Sequence, residues 1–410
     1  MNISKKYEPT IGILGNIFEW YNFALFMPFL PVISKQFFPV GSELCGHTVT
    51  FLVMSMGLFM RPFGSVVFGP IGDKFGRSKA ISLSILLMAF STFGMAILPG
   101  YNSIGIAAPI LLIIFRGMQG ISMGGEYTSA MVHLVEKAPS NHRGFFGSWS
   151  DAGSQIGVLL CGQSLILLYS FFSNDQVYQF AWRIPFLCSL VLVPFAFLIP
   201  DNIEAKKKDP QKESMISMLI QHKKEMFCTI FITSFSAVAF YTLLTFIPYY
   251  LNSIGALSLD DTARCTNVAN IVMIFSILGA GYLSDKFSRK PFLMVGIIGS
   301  CIAFFVMLTA QHQSFYFWMI VNAFCGVSLG VYYSSRSAFF AEAFPKQIRC
   351  TAVSISLSLA QAIFGGFSPE ITHRLILISP YLSVIPIVVV SILALISLTQ
   401  LKDRTGEKLM

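Results

Sequence analysis

Long apolar runs, broken by short charged turns, fill the chain from one end to the other. A helix needs roughly 20 mostly apolar residues to cross a bilayer. Twelve runs reach that length, at about 10–34, 48–70, 79–99, 104–136, 144–172, 182–200, 226–251, 264–284, 291–310, 314–343, 350–378 and 380–400. No stretch alternates apolar and polar positions as a barrel strand does, so the pattern predicts helices. The expected fold class is therefore an all-α polytopic membrane protein with twelve spans. The lysine-rich segment 201–225 is the longest break and falls after the sixth run. It divides the chain into an N-terminal six-helix bundle (1–200), a cytoplasmic linker (201–225), a C-terminal six-helix bundle (226–402) and a short tail (403–410). The linker reads as a solvated segment near anionic headgroups.

The two halves echo each other. GPIGDKFGRSK at 69–79 has a second copy, GYLSDKFSRK, at 281–290, which sets Asp73, Lys74, Phe75 and Arg77 against Asp285, Lys286, Phe287 and Arg289. Glu136, Pro139 and Arg143 close the fourth run as Glu342, Pro345 and Arg349 close the tenth. Gly120 and Gly124 are echoed by Gly326 and Gly330, a spacing that lets neighbouring helices approach closely. An internal duplication, with two pseudo-symmetric bundles, follows from these echoes.

Composition agrees: 54% of residues are hydrophobic, 12% are charged, and 40 are Phe, against about 25% charged in a soluble domain. The net charge of +8 could suggest nucleic acid, but the basic residues cluster in alternate loops: Lys5 and Lys6, Lys74 to Lys79, Lys137 and Arg143, Lys206 to Lys224, Lys286 to Lys290, Lys346 and Arg349, and Lys402 to Lys408. That side is cytoplasmic by the positive-inside rule, with both termini on it. The partner is a lipid bilayer and not nucleic acid. Lys5 and Lys6 before an apolar run imitate a signal peptide, but no small-residue cleavage site follows, so the segment reads as a retained first helix. The eight cysteines form no CxxC pair and no His/Cys cluster, so no metal is expected. Cys45 and Cys265 fall in outer loops, which leaves a disulfide between them open.

Six stretches, in order, carry a resemblance: GNIFEWYNF (15–23), RPFGSVVFGPIGDKFGR (61–77), RGMQGISMGGEYTSAMVHLVEKAP (116–139), RGFFGSWSDAGSQIG (143–157), WRIPF (182–186) and FGGFSPEI (364–371). With them the chain resembles the major facilitator superfamily, whose loop pattern GxLxDrxGRrk is matched at 69–79. It looks most like the metabolite:proton symporter branch of proline/betaine, shikimate, citrate and 2-oxoglutarate carriers. The resemblance implies alternating access and proton-coupled uptake of a small carboxylate or zwitterion. Two departures stand out. Asn22 replaces the Asp of the family's EWYDF pattern, which keeps an uncoupled facilitator or exchanger as the alternative. The long helical tail of osmosensing carriers is not matched, so osmosensing is not carried over.

Ionisable groups in hydrocarbon are costly, by ~2.5–3.5 kcal/mol on insertion scales, and are functional candidates by default. Glu19 and Asn22 share a helix face, where Glu19 could take a proton and Asn22 could bind substrate, or Glu19 could pair with a neighbouring arginine. Arg116 suits a carboxylate; it could hold substrate or neutralise Glu19, Glu126 or Asp151. Glu126, after Gly124 and Gly125, and Asp151, which shares a face with Gln155, complete the proton candidates. Arg336 has no acidic residue within a turn, so it needs a partner from another helix or an anionic substrate. Tyr21, Tyr127 and Gln155 join Arg116, Arg336 and Asn22 as candidate substrate contacts. Trp20, Tyr21, Tyr127, Trp149, Tyr241 and Tyr332 read as packing, although two or three could cage a quaternary ammonium. His133 reads as structural, Glu370 and Arg374 as an i,i+4 pair, and Arg183 as snorkelling to headgroups. Asp73, Arg77, Asp285 and Arg289 lie too shallow to meet substrate and read as gating pairs, partly on the resemblance. There is no phosphate-binding loop, so ATP does not drive transport, and with no nucleophile–base set or HExxH motif an intramembrane enzyme is the weakest rival. A sensor would need a soluble output domain. No cofactor is expected, and the chain reads as a monomer.

Overall fold

The computed structural model describes residues 3–26, 28–38, 53, 55–188, 190, 193–194, 214–243, 250–251, 257–309 and 314–409. All regular structure among them is helical. In chain order the main helices are α1 (Ile3–Ala24), α2 (Leu30–Phe37), α3 (Arg61–Phe75), α4 (Arg77–Ile97), α5 (Ala107–Met123), α6 (Glu126–Lys137) and α7 (Arg143–Phe171). The C-terminal part of the expected linker is helical, as α8 (Met215–Gln221) and the start of α9 (Lys223–Tyr241); then come α10 (Leu259–Phe287), α11 (Lys290–Thr309), α12 (Phe315–Ala343), α13 (Arg349–Ala360), α14 (Gly366–Ile378) and α15 (Ile385–Gln400).

Eight helical segments among the described residues are long and apolar enough to cross a membrane. They coincide with the expected spans 79–99, 104–136, 144–172, 264–284, 291–310, 314–343, 350–378 and 380–400 to within a few residues. The other four expected spans fall partly outside the described residues, as do linker residues 201–213 and Cys45. Cys265 sits within α10, buried and as a free thiol, rather than in a loop. Large apolar side chains such as Phe63, Phe90, Phe275, Val295 and Phe305 point outward, each more than half exposed. Such a surface suits contact with lipid.

Sequence sets where the helices stop. In both charged turns a residue at positive φ ends the preceding helix: Gly76 (φ 103) between α3 and α4, and Ser288 (φ 80) between α10 and α11. Ser258 and Ser314 cap α10 and α12 by accepting backbone N–H bonds from Asp261 and Phe317, as small hydroxyl residues do at helix starts. Two irregularities interrupt expected spans. Gly124 and Gly125 separate α5 from α6, and a π-helical turn, Gln361–Gly365, separates α13 from α14.

The chain forms two compact units: Met1–His133 with Gly153–Lys207, and Leu134–Ala152 with Lys208–Met410. The repeated glycine pair does the same job in each. A Cβ on Gly120 would stand 2.1 Å from the Gly57 carbonyl oxygen, and one on Gly124 2.2 Å from that of Arg61. In the second unit a Cβ on Gly326 would stand 2.3 Å from the Ala269 oxygen, and one on Gly330 2.8 Å from that of Met273. Backbone therefore lies on backbone at both places, which only glycine permits. The first unit also has a dense apolar cluster around Phe26, Phe29, Phe37, Trp182 and Phe186.

Candidate functional site

Within the first unit, α1 turns Asn16, Glu19, Asn22 and Phe23 to the interior, all buried. Asn16 donates to Ser154 Oγ at 3.0 Å. Glu126 opens α6 where the two glycines leave room, and its Oε1 would be 3.1 Å from a Cβ on Gly15, one turn below Glu19. The Glu19 and Glu126 carboxyls bear on each other electrostatically, and Arg61 is the cation that acts on Glu19. Each glutamate is 1% exposed. None of their four carboxyl oxygens has a hydrogen-bond partner among the described residues, nor have the two amide atoms of Asn22. Arg61 lies over the Trp20 ring at 5.9 Å, and Trp20 meets Tyr127 edge to face at 6.3 Å. The sequence predicts that a neighbouring arginine could pair with Glu19, but nothing in the place of Arg61 beside Pro62 singles it out as the cation that acts on it.

Arg116 is fully buried in α5. It donates to the Phe23 carbonyl at 3.2 Å and to Gln119 Oε1 at 2.8 Å, while its guanidinium lies 4.1 Å from the Phe23 ring centre and 4.7 Å from that of Phe26. Gln119 passes the chain on to Thr92 at 2.7 Å. This cation is thus packed into the interior of its unit by two rings and a carbonyl. Tyr21 donates to the Pro185 carbonyl at 3.4 Å. Arg183, half-buried, donates to the carbonyls of Leu98 at 3.1 Å and Gln179 at 3.3 Å, and lies over Trp182.

The second unit joins two candidates that sequence could not connect. Arg336 of α12 forms a buried ion pair with Asp151 of α7. Ser337 donates to the other Asp151 oxygen at 2.7 Å, and the Arg336 guanidinium stacks 4.6 Å from the Tyr333 ring. The partner that Arg336 required is therefore a carboxylate from another helix. Gln155, one turn beyond Asp151, is buried, and its Oε1 has no hydrogen-bond partner among the described residues.

A third cluster centres on the second charged turn. Asp285 accepts from the backbone N–H of Gly144 at 2.7 Å and of Phe145 at 2.8 Å, so it caps the first turn of α7, where a negative charge is favoured. Arg289 pairs with Asp285 at 3.2 Å and grips Glu342 with two bonds of 2.8 and 2.9 Å. Arg143 lies 3.7 Å from Glu342, and Arg349 binds Glu136 at 2.6 Å. The echoed Glu–Pro–Arg segments thus exchange partners: the glutamate of each copy meets the arginine of the other. In the first turn Arg77 pairs with Asp73 at 2.5 Å and donates to the Gly72 carbonyl at 2.6 Å. Glu370 and Arg374 form the expected exposed pair at 2.7 Å; the His373 side chain lies outside the described residues.

These clusters are buried charge networks in a chain whose long helices are apolar enough to cross a membrane. The sugar (and other) transporter family matches residues 9–201, and the major facilitator superfamily matches residues 265–408. A citrate-proton symporter of Klebsiella pneumoniae is 30% identical over 370 residues, which span 88% of this chain and 83% of that protein. The chain belongs to the major facilitator superfamily. It is a multi-pass membrane transporter and not an enzyme. A proline/betaine transporter of Salmonella typhimurium is 29% identical over 426 residues, covering 96% of this superfamily chain and 83% of its own. The proton:xylose symporter XylE, solved with 6-bromo-6-deoxy-D-glucose, aligns over 98% of this chain and 96% of its own with a TM-score of 0.81. At 16% identity that likeness speaks for the superfamily fold alone.

Proposed function

We propose that this transporter carries a small polar organic solute bearing a carboxylate, either an organic acid or a zwitterion such as proline or betaine, across a bacterial inner membrane by proton-coupled symport. The observation that carries the coupling is the Glu19–Glu126 pair, two buried carboxyls with no hydrogen bond to any of their oxygens among the described residues. Buried polar groups are nearly always hydrogen-bonded, so such a pair is suited to hold a proton that comes and goes with the transport cycle. The citrate-proton symporter relative supports the same reading. Asp151 offers a third carboxyl. A substrate carboxylate, or a proton on Asp151, would loosen the ion pair and free Arg336 as an anchor. Arg116, Asn22, Tyr21, Tyr127 and Gln155 would line or brace the path. Asp73, Arg77, Asp285 and Arg289 would act as gating groups. The bundles 1–200 and 226–402 would move about linker 201–225, with both termini in the cytoplasm and the chain acting as a monomer.

Purified protein in liposomes tests this. With the outside acidified, labelled citrate, proline or betaine should accumulate above equilibrium, and Glu19→Gln with Glu126→Gln should abolish accumulation. Full accumulation by the double variant would remove the coupling role. Asn22 in place of the family aspartate favours a second reading, a facilitator or exchanger, and for that protein substrate would only equilibrate whatever the pH gradient.

A further inference from the structure

One cavity in the second unit belongs to none of the clusters above. It is a groove of about 530 Å³ between α9 and α15, within the ~300–1,000 Å³ range of sites that hold small organic ligands. Lys223 and Lys224 stand at one end, and Phe227, Phe231, Leu393 and Ile396 form its apolar floor, with Ser397 and Gln400 beside them. Both lysines are exposed, as are Phe227 at 60% and Ile396 at 54%. The helix before it, α8, turns Ile216 and Ile220 outward at 69% and 61% exposed, so apolar surface continues past the lysines. The groove therefore has a cationic head and an apolar trough, the inverse of an anionic amphiphile.

We propose that this groove binds one anionic phospholipid, its phosphate between Lys223 and Lys224 and an acyl chain along Phe227, Phe231, Leu393 and Ile396. Charge complementarity selects this occupant. A second copy of the chain, with its net charge of +8 concentrated in the same basic loops, would bring like charges together there. On the orientation proposed above, the lysine end faces the inner leaflet, where anionic lipid attracts basic segments by ~1 kcal/mol per residue. The binding claim itself does not need that orientation, because the assay below has no leaflets.

Native mass spectrometry of the full chain in detergent, with phosphatidylglycerol or phosphatidylcholine of identical acyl chains, tests it. The expected result is one phosphatidylglycerol retained per chain, and retention weakened roughly tenfold or more in K223Q/K224Q. Leu393→Trp, which fills the trough and keeps both lysines, should also lose the lipid. F227W supplies a second readout: its fluorescence should be quenched by brominated phosphatidylglycerol and much less so by brominated phosphatidylcholine. Equal retention of the two lipids, undiminished retention by K223Q/K224Q, or retention by a folded Leu393→Trp variant without quenching of F227W would each overturn the proposal. So would a dimer that K223Q/K224Q dissolves, since the occupant would then be a second copy.

Discussion

Ser288 shows how much one backbone angle can say. It is the non-glycine residue at positive φ among the described residues, and it occupies the position that Gly76 fills in the first copy of the turn. With φ 80 and ψ 156 it lies in a region that glycine alone enters freely, at a cost of ~1–3 kcal/mol for other residues. Its hydroxyl donates to Asp403 at 2.6 Å, which helps hold it there. Ser288→Ala removes the hydrogen bond and keeps the strain, whereas Ser288→Gly removes both. The glycine variant should therefore unfold at higher denaturant than the alanine variant, by ~1–3 kcal/mol; equal stabilities would mean that the turn is not strained. The Arg336–Asp151 pair makes a sharper claim. Arg336→Ala leaves the buried Asp151 carboxylate without the Arg336 cation, a change worth ~3–5 kcal/mol in buried pairs. It should abolish uptake, and Asp151→Asn added to it should recover stability but not transport, as read by thermal unfolding beside liposome uptake. Uptake by Arg336→Ala at the native rate would end the anchor role.

At the scale of elements, the start of α11 is held from outside its own sequence. Asp403 accepts from the N–H groups of Arg289 and Lys290, each at 3.0 Å, and from Ser288 and Thr405. Partial burial opposes its ionisation, but the Ser288 and Thr405 hydroxyls and the Lys290 N–H outweigh it and hold the pKa at about 2, below the usual 3.8. The folded state thus favours the charged form. The stabilisation is complete above pH 3.8, fades as pH falls toward 2, and is gone below that. Asp403→Ala should lower stability by ~1 kcal/mol at neutral pH, as loss of an N-cap does, and should flatten the stability–pH curve in that acid window. An unchanged curve would mean the cap contributes nothing. Most of the elements were legible in sequence, because span length and apolar content are local properties, and the eight spans lie where the hydropathy put them. The breaks were less so. Gly124 and Gly125 were visible as glycines, yet that they end α5 depends on the Arg61 backbone and the Phe68 side chain that crowd them. The π-turn at Gln361–Gly365 left no pattern to read. Among site residues, Glu19, Glu126, Asp151 and Arg336 stood out because charge in hydrocarbon is rare, and Asn22 because it shares a face with Glu19. Arg61 as the cation near Glu19, and Asp151 as the partner of Arg336, depend on tertiary placement that spacing does not encode.

For the whole molecule, the exchange of partners between the two echoed segments is the feature with the widest reach. Glu136 binds Arg349, Glu342 binds Arg289 with Arg143 alongside, and Asp285 caps the helix that Arg143 begins. Segment 134–152 is thereby held in a unit with the residues after 208, although the chain runs on from it into the other unit. A transporter that works by alternating access must make and break some such set of contacts, and charges that lie in the ends of spans suit this because water can replace each lost bond. Gly144 adds a packing condition, since a Cβ there would stand 2.4 Å from Ser284 Oγ and 2.8 Å from the Gly281 oxygen. If the network is the gate, weakening it should shift the conformational balance without removing the binding groups. Glu136→Arg should slow uptake and raise the labelling of a cysteine introduced beside it, and the charge-reversed pair Glu136→Arg with Arg349→Glu should restore both toward native values. The ion pair is partly buried, 1% exposed at Arg349 and 16% at Glu136, so the coupling between the two substitutions should be ~1–3 kcal/mol in a double-mutant cycle. A pair that fails to rescue, with protein still folded and inserted, would mean that these charges serve assembly and that the gate lies elsewhere.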